Sequence, residues 1–68
     1  MEEIKSYAKE ALKWRTMYRN YVENKPYNPT ARSYRSRWRR AVDKFNDAID
    51  SYEDLNECII SRRIEDYI

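Results

Sequence analysis

Five arginines, Arg32, Arg35, Arg37, Arg39 and Arg40, fall within nine consecutive positions and are interleaved with Tyr34 and Trp38. The planar guanidinium fork meets phosphate oxygens in bidentate fashion, so this bias toward arginine over lysine points to a phosphate-bearing or otherwise acidic partner. Arg15, Arg19, Lys25 and Tyr27 stand where a helix end and a turn could bring them to the same region. The expected binding set is therefore Arg15, Arg19, Lys25, Tyr27, Arg32, Arg35, Arg37, Arg39 and Arg40. With no recognition element evident, the contacts should go mainly to phosphates, on a nucleic-acid backbone or a smaller nucleotide, and not to base edges.

No comparable case exists for catalysis. The chain has no histidine, so Ser6, Ser33, Ser36, Ser51, Ser61 and Cys58 have no evident activating base. One cysteine and no histidine also leave out the usual zinc frameworks and any intrachain disulfide. Glycine is absent, which excludes glycine-dependent phosphate loops and nucleophile elbows. Asp43, Asp47, Asp50, Asp54 and Glu57 line one helical face, but a single face without a supporting loop is a poor cation cage. No catalytic residue, metal or cofactor is expected.

The elements that would position the arginines are legible from apolar spacing. Ile4, Tyr7, Ala11, Trp14, Tyr18 and Tyr21 recur at alternating intervals of three and four, a heptad seam that predicts a first helix over about 2–23. Asn24 and Pro26 end it, and Asn28 followed by Pro29 reads as a cap opening the next helix, leaving a turn at 24–28. The seam resumes as Ala31, Tyr34, Trp38, Ala41, Phe45, Ala48, Tyr52, Leu55 and Ile59, with no glycine or proline to interrupt it. A second helix is therefore expected over about 29–66. A turn this short favours antiparallel neighbours.

The fold class expected is all-α, a single 1–68 domain built as an antiparallel helical hairpin with a long second helix. At 1.5 Å per residue the helices would measure ~33 Å and ~57 Å, and the second would overhang the first by ~24 Å. The overhang would carry Tyr52, Leu55, Ile59, Ile60, Ile64, Tyr67 and Ile68, an apolar stripe that the first helix cannot reach. Burial of that stripe by a second copy is the expectation, giving a homodimer with a four-helix arrangement. A fold-back of the last turns is the intramolecular rival, with no breaker to favour it.

Charge sharpens the picture beyond the net +2 of the 68 residues. Residues 13–40 carry nine cations against Glu23 alone, net +8, whereas 41–57 carry six carboxylates against Lys44, net −5. Partner choice should follow these local fields. Two functions are thus expected in order: a small non-catalytic binding protein whose arginine-rich end engages phosphates, or a small inhibitor or adaptor of the kind phages encode. The second would dock on a larger protein through the apolar overhang and charged faces, and a purely structural assembly role is a third option. No apolar run reaches the ~18 residues of a membrane span, the opening Met1-Glu2-Glu3 is acidic, and the unpaired Cys58 suits a reducing compartment, so a cytoplasmic location without membrane attachment is expected.

Overall fold

The computed structural model describes residues 1–24 and 29–68, and the regular structure among them is helical throughout. Helix α1 spans Glu2–Asn24 and helix α2 spans Pro29–Asn56; a 3-10 turn, η1, covers Ile64–Tyr67 near the chain end. Glu2 and Glu3 occupy the first turn of α1, where carboxylates complement the positive end of the helix dipole. Both helices begin and α1 ends within a residue of the positions expected from the seam. Of the turn expected at 24–28, Asn24 belongs to α1 and 25–28 lie outside the described residues.

The two helices pack along the expected stripe as a hairpin. Ala8, Ala11, Ala31 and Ala41 are buried, and their small side chains allow close approach of the backbones. At the open end Ile4, Ala8, Phe45 and Ile49 form the core cluster, and Phe45, Ile4 and Ile49 are the largest fully buried side chains. Toward the closed end the seam is aromatic: Trp14 stacks on Tyr34 at 5.7 Å between ring centroids, Tyr18 meets Trp38 at 5.8 Å, and Tyr21 meets Tyr34 at 5.1 Å. Such pairs add about 0.5–1.5 kcal/mol each beyond the area they bury.

The expected second helix to about residue 66 is corrected by the structure: α2 stops at Asn56. Glu57 takes a left-handed conformation with φ 48°, and the Cys58 N–H donates to the Glu53 carbonyl at 3.3 Å. That bond spans five residues, as in a Schellman C-cap, although the left-handed position is usually glycine. The cost of placing a side chain there is about 1–2 kcal/mol. Contacts made by the returning chain offset it. The Glu53 carboxylate accepts the Ile60 N–H at 2.9 Å and pairs with Arg62 at 2.9 Å, and Arg62 also bonds Asp50.

Residues 58–68 then run back as an arm over the open end of the hairpin, with η1 packed on α1. Tyr52, Ile60, Ile64 and Tyr67 lie against the core cluster, and the Tyr67 ring meets Phe45 edge-on at 5.7 Å. The Tyr67 hydroxyl donates to the Ser61 carbonyl, and the Ser61 hydroxyl bonds Asp66. On α1, Arg15 pairs with Glu65 at 2.8 Å. The long overhang is therefore replaced by a fold-back, because the chain covers its own stripe at a residue that no glycine or proline marks. Of the seven residues expected at a partner interface, Tyr52, Ile60, Ile64 and Tyr67 face their own chain. Leu55, Ile59 and Ile68 stay exposed, Leu55 at 84% and Ile59 at 93%.

Candidate phosphate-binding face of helix α2

The arginine cluster occupies the first three turns of α2. Arg32, Arg35, Ser36 and Arg39 recur at intervals of three, one and three, which places them on one helical face, where they line an open concavity of about 270 Å³. Arg35 and Arg39 also border a neighbouring one of about 390 Å³ with Trp38, Val42 and Asp43. The helical rise separates the Arg32, Arg35 and Arg39 positions by ~4.5 and ~6 Å along the axis. Two of the three arginines thus serve both depressions, and the face can offer several N–H donors to one anionic chain.

The structure divides the expected binding set. Arg32, Arg35, Arg39 and Arg40 are exposed, as is Arg19, and among the described residues no carboxylate pairs with them. Asp43 shares a depression with Arg39 but forms no ion pair with it; with the cation N-terminal to the acid, this is the weaker order for a pair four residues apart. Arg15 is engaged by Glu65, and that contact holds the Glu65 carboxyl below its ordinary range. The Arg37 guanidinium lies 4.9 Å from the centroid of the Trp14 ring, and Lys13 Nζ lies 4.8 Å from the same centroid. Arg37 is thus drawn into cation–π contact with the seam. Lys25 and Tyr27 lie outside the described residues.

The aromatic residues are spent in packing. Tyr34 and Trp38 lie among the arginines in sequence, yet their rings are taken up by Trp14, Tyr18 and Tyr21 across the seam. Burial, followed by the neighbouring Tyr21 hydroxyl, raises the Tyr34 pKa against the opposing effect of Arg37, as expected of a packed phenol. The Trp38 indole N–H is buried without a hydrogen-bond partner among the described residues, and no spacing rule signals that.

The acidic row is likewise divided. Asp43, Asp47, Asp50 and Asp54 are exposed on α2, Asp50 is bonded by Arg62, and Glu57 sits beyond the helix end. Among the described residues no group of three or more histidine, cysteine or acidic side chains is placed to hold a metal ion. No helix among them is long and apolar enough to cross a membrane. Compared with known protein families, with curated proteins and with solved structures, the chain matches none.

Proposed function

We propose that this chain is a non-catalytic binding protein that engages the phosphate backbone of a nucleic acid through Arg32, Arg35 and Arg39, with Ser36 as an additional hydroxyl donor. A single observation carries the reading: these arginines line open depressions with no ion pair to a carboxylate among the described residues, whereas Arg15 and Arg62 are held by carboxylates and the exposed Arg37 lies over the Trp14 ring. Exposed, unpaired guanidinium groups on a rigid helix retain their full capacity for bidentate phosphate bonds. Among the described residues the Tyr34 and Trp38 rings already pack against Trp14, Tyr18 and Tyr21, which leaves them less free to stack on unpaired bases, so a duplex backbone is favoured over a single strand. The protein acts as a dimer, two hairpins meeting at the open end where Leu55 and Ile59 are exposed and completing a four-helix arrangement. A cytoplasmic setting belongs to the same proposal, since it keeps the exposed Cys58 thiol reduced.

The test is fluorescence anisotropy of a labelled generic duplex across a salt series, with a labelled single strand and a labelled nucleotide alongside. If each of the three arginines neutralises one phosphate, the log–log slope is about −2.7 per copy on duplex DNA. Arg35→Ala and Arg39→Ala each weaken binding across all sequences and reduce the slope by about 1. Absence of duplex binding at low salt, or binding indifferent to both substitutions, refutes the proposal. Tight binding of the nucleotide alone would redirect it to a small ligand. Docking on a larger protein is the second reading, through the exposed Leu55, Ile59 and Ile68 that a second copy would otherwise cover.

A further inference from the structure

The arm and its hinge carry an inference about how two copies join. Glu57 holds a left-handed conformation in a chain that has no glycine, so the turn into the arm is strained. The heptad spacing nevertheless passes straight through it: Tyr52, Leu55 and Ile59 continue the seam at intervals of three and four. Leu55 and Ile59, the two seam residues flanking the hinge, are also the most exposed large apolar side chains among the described residues. A helix running on through residue 57 would relieve the strain and align both with the seam. It would also carry the arm away from its own hairpin.

The detached arm has one surface on the page that fits it, the same surface on a second copy. Its anchors are made to the hairpin body: Ile60, Ile64 and Tyr67 on the cluster of Ile4, Phe45 and Ile49, Glu65 on Arg15, and Arg62 on Asp50 and Glu53. The anchors from Arg62 to Tyr67 can form between copies as well as within one, while residues 57–60 must change, since the Cys58 and Ile60 N–H bonds to Glu53 are given up if the helix runs on. We propose that the dimer is arm-exchanged, residues 58–68 of each copy packing on the α1–α2 body of the other, with Glu57 as the hinge. Exchange of an identical element is a low-cost route to a dimer when the hinge is strained. The inference rests on the dimer proposed above, and the experiment separates the two.

The experiment mixes two full-length variants, Arg15→Glu and Glu65→Arg, and reads the assemblies by native mass spectrometry at low ionic strength. Each variant alone sets like charges against one another at the arm contact. In an arm-exchanged heterodimer both contacts become opposite-charge pairs, so the heterodimer is expected several-fold above the statistical mixture. Light scattering of the unmodified protein across a concentration series gives the dimer itself, and Glu57→Gly, which relaxes the turn, is expected to move that population toward monomer. Dimers that mix statistically overturn arm exchange and leave the dimer standing. A protein that stays monomeric throughout the series overturns both.

Discussion

Replacing Glu57 by glycine distinguishes the observed turn from the continuous helix that the heptad spacing alone would suggest. The residue sits at φ 48°, where a Cβ costs about 1–2 kcal/mol, whereas glycine adopts the region without steric penalty. Glycine also increases the freedom of the unfolded chain, which takes back about 0.4–1 kcal/mol. Removing a carboxylate from the negative end of α2 returns a few tenths of a kcal/mol or more. Taken at mid-range, the net is a stabilisation of about 1 kcal/mol, equivalent to a rise of about 4–8 °C in Tm for a domain of this size. Urea unfolding followed by far-ultraviolet circular dichroism, at a protein concentration where light scattering shows monomer and the arm is folded back on its own chain, should show a higher midpoint at unchanged slope. Glu57→Ala is the control, since it removes the charge but keeps the Cβ and should recover only the electrostatic part. In a helix interior, glycine would cost about 0.8–1 kcal/mol relative to alanine. A Glu57→Gly variant destabilised by that amount would refute the turn and restore the long second helix.

Three further outcomes follow from the packing. Ile64→Asp places a charge against the core cluster and should release the arm, seen as faster tryptic cleavage after Arg62 and Arg63 with the helical signal of the hairpin retained. Ala11→Leu inserts a bulky side chain where the helices meet closely and should cost about 1–3 kcal/mol in urea unfolding, with no such cost at exposed Lys9→Leu. Arg15 holds the Glu65 carboxyl below its ordinary range, so the folded state binds that proton less readily than the unfolded chain. The associated stability is present above the usual carboxylate range and is lost as pH falls through it to the depressed folded value. Acid titration of the unfolding midpoint should therefore be shallower in Glu65→Gln; an identical profile would show that the pair contributes nothing to acid sensitivity.

Local pattern determined much of this protein. The three-and-four recurrence of apolar residues places α1, the start of α2 and their seam, because helical periodicity is a property of neighbours along the chain. The opposite charges of 13–40 and 41–57 are likewise sequence properties, and so is the arginine row, since positions three and four apart share a helical face. Tertiary structure alone decided where α2 ends and which arginines remain available. The stop at Asn56 carries no glycine or proline; it depends on Glu53 and Asp50 receiving Arg62 and on Phe45 receiving Tyr67. Arg15 meets a carboxylate fifty positions away, and Arg37 meets a ring on the other helix. Spacing along a chain reports what a helix can present on each face, but the energy of a contact between distant segments depends on a geometry that only the folded chain creates.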